Sequence, residues 1–215
     1  MNEYMQPVTL VIPKELENVQ LPSPELLSYY TDMQRRIIWV DFEIDDRLLL
    51  IIKQILRWNQ EDIGVPKEQR KPIHMLIFSP GGDLYLAFGC IDVMKLSVTP
   101  IITVNMGEAS SAGLYLLLSG DKRYCLPNAT SVLHSGSATL GGTASQVNSS
   151  AQYYKDQLNR MKNFVLERTT IDARTYKKRQ DEDWYLSAED QLKLGVVDGI
   201  VDSLAYIIGG EQLSV

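Results

Sequence analysis

Two adjacent serines within a run of small residues are the groups in this sequence that most directly suggest chemistry. Ser110 and Ser111 stand in the segment GEASSAG, directly after the apolar run from Ile101 to Met106. A serine hydroxyl is a weak nucleophile at neutral pH, so it needs a base to accept its proton and donors to hold the oxyanion that forms. A catalytic serine here would therefore require a base, an acid that orients the base, and N–H donors from elsewhere in the chain.

Histidine is the usual base for a catalytic serine, and the chain contains only two histidines. His74 lies within the apolar segment IHMLIF, which is typical of a histidine packed inside a strand. His134 follows the segment TSVL and precedes a stretch rich in glycine and serine. That position suits a partly solvated imidazole, so His134 is the candidate base.

The residue pattern alone leaves the choice between the two serines open. Neighbours in a helix point about 100° apart, so only one of them can face a site. Ser110 could be the N-cap of a helix over 110–118, a role that needs no catalysis. Ser111, in the first turn, would have the positive end of the helix dipole beside it. The pattern G-x-S-x-G is not met, because Ala109 stands where its first glycine would be.

The segment SPGG, residues 79 to 82, has a structural and a functional interpretation. A proline-glycine pair is a common turn between a strand and a helix. A residue without Cβ also lets a backbone N–H approach a substrate oxygen, so Gly82 and Ala112 could supply the two oxyanion donors. The acid cannot be chosen by pattern, because the chain has 27 acidic residues. The segment DEDW, residues 181 to 184, is compatible with a simple charged turn.

Short apolar strands alternate with amphipathic helices along the chain, which predicts βαβ units and a largely parallel sheet. In such sheets ligands bind beyond the C-terminal ends of the strands, where SPGG, GEASSAG and His134 all stand. The predicted strands are 36–40, 73–78, 101–105, 130–133 and a short one in VVDGIV; the predicted helices are Asp45 or Asp46 to Trp58, 84–96, 110–118, 146–168, 172–178 and 187–194.

Composition limits the class of protein. A chain of 215 residues, 45% hydrophobic and 22% charged, is typical of one soluble globular domain. A net charge of −6 argues against a partner nucleic acid, and no apolar run is long enough to span a membrane. Cys90 and Cys125 have neither metal-ligand nor disulfide-framework spacing and predict buried thiols in a reducing cytoplasm.

Four segments in order resemble the proteolytic subunit of the Clp protease: SPGGD, GEASSAG, LPNATSVLH and DWYLSAEDQLKLGVVDGIV. The resemblance runs from about Leu26 to Val201. It implies a crotonase/ClpP-like α/β fold of repeated βαβ units, with a protruding helix-strand handle at about 135–168. Residues 1–25 are then an N-terminal arm, and 26–215 are a single peptidase domain.

The same resemblance implies the site and the assembly. Ser111 would be the nucleophile, His134 the base and Asp183 the acid that orients it, with oxyanion donors at Gly82 and Ala112. The subunits would form heptameric rings, stacked as a tetradecamer around a closed chamber in which unfolded polypeptide is cut. The chain has no G-x-x-x-x-G-K-[ST] loop, so an AAA+ Clp ATPase would use the ATP, and the chain itself is expected to need no cofactor.

Several positions depart from the family pattern. Ser135 and Gly136 stand where glutamine and proline usually follow the histidine, and Glu182 replaces an arginine before the aspartate, with Gln146 near its usual acidic partner. Ring contacts are therefore expected to differ. A noncatalytic ring subunit, a phage-type relative that processes capsid proteins, and an acyl-CoA enzyme on the same fold are the alternatives; the complete serine, histidine and aspartate set argues against the first and the last.

Overall fold

The structure is a computed structural model, which describes residues 23–205. The helices are α1 (Pro24–Arg35), α2 (Leu48–Glu61), α3 (Leu84–Leu96), α4 (Ala112–Leu118), α5 (Ala144–Arg168), α6 (Ala173–Arg179) and α7 (Ala188–Lys193). The strands are β1 (Ile37–Val40), β2 (Ile73–Ser79), β3 (Ile101–Ser110), β4 (Lys122–Cys125), β5 (Thr130–Leu133), β6 (Trp184–Leu186) and β7 (Gly199–Ile200).

The sheet is mostly parallel, as the alternation of strands and helices predicts. Strands β1, β2, β3, β4 and β7 lie side by side in that order, and every pair among them is parallel. Strand β5 pairs in parallel with the last residues of β3, and β6 pairs antiparallel with β5. The β5–β6 pair therefore adds to the sheet beside the last residues of β3, near the edge where ligands bind in folds of this class.

The main core fills one face of the sheet. Helices α2, α3 and α4 pack there, and α4 is buried along its whole length. A smaller apolar cluster lies on the other face and contains Ile37, Leu76 and Val104. His74 lies in register with Ile37 and Ile102 and is only 5% exposed. The prediction that His74 is a packed histidine of a strand is therefore confirmed.

Three elements were not predicted from the sequence: α1, β4 and β6. Helix α1 has Leu26, Tyr29, Tyr30 and Met33 at helical spacing, but none of its side chains is buried. Strand β4 is short and begins with two charged residues. Strand β6 includes the tryptophan of DEDW, and its pairing with β5 replaces the charged turn that the segment alone allowed.

Among the predicted boundaries that differ from the structure are the start of α2 and the end of β3. Helix α2 is not capped by Asp45 or Asp46: its N-cap is Arg47, whose guanidinium lies 2.7 Å from the Asp45 carboxylate. Strand β3 does not end at Asn105 but continues to Ser110, because residues 108–110 pair with β5. Ser110 is therefore the last residue of a strand, and the prediction that it caps a helix is corrected.

The region expected to form the handle contains an irregular segment, residues 134–143, followed by the 25-residue helix α5. Thr143 caps this helix, and the Gln146 side chain accepts a hydrogen bond from the Thr143 backbone N–H at 2.8 Å. The buried side chains of α5 all lie in its last third: Met161, Phe164 and Val165. The first half of α5 thus has no buried side chain.

Residues 1–22, most of the expected N-terminal arm, lie outside the described part of the chain. Between residues 23 and 205 no helix is both long and apolar enough to cross a bilayer.

Cys90 and Cys125 are free and buried, and burial raises the pKa of each thiol to about 12. Both cysteines are thus the packed thiols that their apolar surroundings predict.

Candidate active site

Ser111 occupies the junction between β3 and α4 in an unusual backbone conformation. Its φ is 51° and its ψ is −121°, one of two positive φ values among non-glycine residues of the described chain. A residue with a side chain is strained in this region, and such strain persists where the surrounding structure enforces it. A strained turn from strand to helix is also how the nucleophile of an α/β-hydrolase is exposed.

Local contacts hold Ser111 in that conformation. Its N–H donates to the carbonyl of Val132 at 2.9 Å, and its own carbonyl accepts from Leu114 at 3.0 Å. Ser111 holds the N-cap position of α4, yet its side chain makes no capping hydrogen bond. The hydroxyl is therefore available for another role.

The neighbouring serine has a different environment. Ser110 is only 6% exposed, and its hydroxyl donates to Oε1 of Glu108 at 2.8 Å. The hydroxyl is thus engaged by a side chain of the same strand. This contact gives Ser110 a structural function and distinguishes it from Ser111.

His134 and Asp183 face each other across the β5–β6 pair. The antiparallel register aligns Leu133 with Trp184. His134, which follows Leu133, therefore stands opposite Asp183, which precedes Trp184. Nδ1 of His134 lies 3.7 Å from Oδ1 of Asp183, with side-chain exposures of 31% and 62%. A hydrogen bond between these groups would measure about 2.7–3.2 Å. The pair is in place but not in hydrogen-bond contact.

Ser111 lies close to His134 along the backbone but is not bonded to it. The N–H of Ser111 donates to Val132, two residues before His134. None of the hydrogen bonds found within residues 23–205 joins the Ser111 side chain to the imidazole. The fold thus brings Ser111, His134 and Asp183 to one end of the sheet without closing the network, and such contacts commonly tighten only when substrate binds.

The two glycines after β2 are required by close backbone contacts. A Cβ on Gly81 would lie 2.6 Å from Cβ of Ser111, and a Cβ on Gly82 would lie 2.4 Å from the carbonyl oxygen of Ile44. Both residues also have positive φ, 101° and 141°. These glycines are thus explained by packing, and Gly81 is the one that contacts Ser111.

The N–H groups of Gly82 and Ala112 are both free of backbone partners within the described residues. Ile44 donates to Gly81 and accepts from Asp83, so the N–H of Gly82 points to the other side of the segment. Ala112 is the first residue of α4, where N–H groups have no partner inside the helix. Both N–H groups are therefore without a backbone acceptor in the described part of the chain.

A cleft of about 870 Å³ begins at Gly82. It runs between α3, the irregular segment 137–140 and α5. Tyr85 and Tyr153 form part of its wall, with stacked rings 6.1 Å apart. Of the candidate site residues, Gly82 alone is in the lining of this cleft, whose other side chains are a mixture of aromatic, charged and polar groups.

Two supporting residues were missed from the sequence. The Ser79 hydroxyl donates to the carbonyl of Phe42 at 2.6 Å and accepts from the N–H of Gly81 at 3.2 Å, which fixes the turn beneath Ser111. Gly81 was read only as part of a turn. A second glycine beside Gly82 is the only signal in the sequence for this contact, because glycine is the residue that permits a close approach of the backbone.

Comparison with known proteins agrees with the fold and the motifs. The family model described as Clp protease matches residues 25–204. The ATP-dependent Clp protease proteolytic subunit 2 of Tropheryma whipplei is 37% identical over 171 residues, covering 78% of this chain and 92% of that protein. The proteolytic subunit 1 of Leifsonia xyli is 32% identical, covering 83% of this chain and 89% of its own length. The chain therefore belongs to the Clp protease family, as a peptidase of the ClpP type.

Proposed function

We propose that this chain is a serine endopeptidase in which Ser111 is the nucleophile, His134 the base and Asp183 the acid that orients the imidazole. The backbone of Ser111 carries the proposal, since a strained φ of 51° at a strand-to-helix junction is characteristic of an exposed nucleophile. The facing of His134 Nδ1 towards Asp183 supports it. That orientation leaves Nε2 to accept the serine proton.

The reaction follows from these roles. Oγ of Ser111 attacks the peptide carbonyl as its proton passes to His134, and the N–H groups of Gly82 and Ala112 hold the oxyanion. His134 then gives the proton to the leaving amine, which separates and leaves an acyl ester on Ser111. Water, deprotonated by His134, hydrolyses the ester and restores the hydroxyl.

We further propose that the protein works in an assembly. The relatives are named as proteolytic subunits of an ATP-dependent Clp protease, which supports an oligomer with an AAA+ Clp ATPase partner. The stacked heptameric rings and the cytoplasmic location are proposed from the family resemblance. The exposed first part of α5 supports a handle between rings. The ATPase would use the ATP and deliver unfolded polypeptide to the chamber.

A partner-activated resting state is a second candidate for the free protein. The 3.7 Å between His134 and Asp183, and the missing hydrogen bond from Ser111, favour a triad that closes only on binding. In that case the free protein reacts slowly, and a bound peptide or ATPase raises the rate.

A fluorophosphonate probe with peptide mass spectrometry tests the proposal. Labelling at Ser111 in the folded protein, lost in Ser111→Ala and kept in Ser110→Ala, is the expected result. Labelling at Ser110 instead would overturn the assignment of the nucleophile. If Ser111 is labelled only after a peptide substrate is added, the second candidate is correct, and no labelling under either condition would leave a noncatalytic subunit.

A further inference from the structure

Ser135, the residue after His134, contacts two other parts of the chain. Its hydroxyl donates to the backbone carbonyl of Gln180, in the loop that leads to Asp183. Its own carbonyl accepts a hydrogen bond from the Tyr154 hydroxyl of α5 at 3.2 Å. Ser135 is thus linked on one side to the loop of the acid and on the other to the long helix.

These hydrogen bonds of Ser135 lie just beyond the residues that are paired in the sheet. The β5–β6 register ends at Leu133 and Trp184, so the backbones of His134 and Asp183 lie just beyond the last paired residues. Gly136 then has a φ of 73°, a conformation that turns the chain away from the strand and that proline, fixed near −65°, cannot adopt. The Ser135 contact with Gln180 is therefore a hydrogen bond that joins the two segments past the last paired residues of the ladder.

Small displacements at this position matter for catalysis. Nδ1 of His134 and Oδ1 of Asp183 are 3.7 Å apart, beyond hydrogen-bond distance, so a small displacement can close or widen the gap between them. A misplacement of about 1 Å in catalytic groups can lower a rate by about 100-fold. A contact that fixes the segment of His134 relative to the segment of Asp183 therefore affects how often the imidazole and the carboxylate form a hydrogen bond.

We propose that Ser135 and Tyr154 are positioning residues that set His134 against Asp183. The inference rests on the proposed function, because it assigns the triad roles that these two residues support. Ser135 holds the segment of His134 to the loop of Asp183, and Tyr154 holds the same segment to α5. Tyr154 also lines the cleft that begins at Gly82, so a bound peptide contacts a side chain that bears on the base.

The two residues should differ in their kinetic effects. Ser135 does not line the cleft, so Ser135→Ala should lower kcat for a small peptide substrate about 10-fold with KM unchanged. Tyr154→Phe removes only the hydroxyl from a residue of the cleft wall and should lower kcat while raising KM. Ser135→Thr keeps a hydroxyl and should restore most of the rate.

A double-mutant cycle separates positioning from a general loss of structure. In the Asp183→Asn background, Ser135→Ala should cause no further loss in the rate of Ser111 labelling, because the contact that it supports is already absent. Tyr29→Phe, on the exposed face of α1, is the matched control for loss of a tyrosine hydroxyl.

The outcomes distinguish this inference from the proposed function. No labelling of Ser111 in the unmutated protein, with or without peptide, overturns the proposed function. Normal labelling in the unmutated protein with equal rates in Ser135→Ala and Tyr154→Phe overturns only the positioning roles. The positioning roles would also be overturned if Ser135→Ala lowered the rate of Ser111 labelling equally in the unmutated and the Asp183→Asn backgrounds. If Ser135→Ala does not fold, Tyr154→Phe and Ser135→Thr still test the inference.

Discussion

Nδ1 of His134 faces Oδ1 of Asp183 at 3.7 Å, across the end of an antiparallel strand pair that otherwise contains no catalytic group. The Asp183 side chain is 62% exposed, so in the proposed triad the carboxylate would orient the imidazole from a solvated position. The two side chains face each other because of the register of β5 and β6, although neither residue belongs to a strand. The alignment of the pair therefore depends on how these two strand ends are held.

We expect Asp183→Asn to lower kcat for a peptide substrate by about 100-fold or more, because the amide would no longer stabilise the imidazolium or hold its tautomer. The measurement is steady-state hydrolysis of a small fluorogenic peptide. Asp181→Asn, at another exposed position of the same loop, is the matched control and should keep the rate. Equal rates for the two variants would mean that another group orients His134.

Gly81→Ala tests the contact between the turn after β2 and the nucleophile. The new Cβ would lie 2.6 Å from Cβ of Ser111, so the strained backbone of Ser111 should shift and its labelling by a fluorophosphonate should fall at least about 10-fold. Gly64→Ala is the matched control: its φ is 82°, but a Cβ there meets no atom within 4 Å. Gly64→Ala should lower the free energy of unfolding by about 1–2 kcal/mol, because alanine is strained at this φ, and should leave the labelling of Ser111 unchanged.

If both glycine variants lose stability equally and neither loses labelling, the close approach of Gly81 to Ser111 has no consequence for the site. A thermal melt of each variant beside the labelling rate separates strain in φ from displacement of Ser111.

The order of elements could be predicted because it depends on local patterns. Apolar runs of strand length alternate with amphipathic segments, and helix α3 was predicted over its whole length, from Leu84 to Leu96. Capping also has a local signature: Ser187 and Asp190 form the predicted capping box of α7. Such features are determined by residues near one another in the chain.

Features that depend on pairing could not be predicted. The extension of β3 to Ser110 results from its contact with β5, and without that contact the segment GEAS reads as a loop. Ser111 was expected in the first turn of a helix, whereas the longer strand leaves it as the N-cap with positive φ. The facing of Asp183 and His134 came from the family resemblance, because the register of β6 is not visible in a charged segment.

Tyr115 carries a buried hydroxyl without a hydrogen-bond partner among the described residues. Its ring packs between Phe88 and Phe164, and burial raises the pKa of the phenol well above its usual range. Since an unpaired buried hydroxyl is unfavourable by about 1–3 kcal/mol, Tyr115→Phe should leave the free energy of unfolding unchanged or raise it. Chemical denaturation measures this.

Tyr115→Ala is the contrasting variant for the same position. Removal of the ring leaves a cavity beside Phe88 and Phe164 and should cost about 3–5 kcal/mol. A loss from Tyr115→Phe of similar size would show that the hydroxyl has a partner after all, such as an internal water.

His74 should make stability depend on pH near neutrality. Burial, and then the positive charge of Lys71, hold the pKa of His74 below its usual value of 6.5. Below about pH 6.5 the unfolded chain therefore binds a proton that the folded chain does not, so the free energy of unfolding falls as pH falls towards the folded pKa, by up to about 1.4 kcal/mol per pH unit. Denaturation at about pH 7.5 and about pH 5.5 measures the change.

His74→Leu provides the comparison, because leucine suits the apolar neighbours Ile37 and Ile102 and does not titrate. The variant should lose less stability between the two pH values than the unmutated protein, at one fixed protein concentration so that association contributes equally. The sign distinguishes burial from ion pairing: a histidine stabilised by a carboxylate would instead gain stability as the pH falls. An identical pH response in both proteins would assign the dependence to groups other than His74.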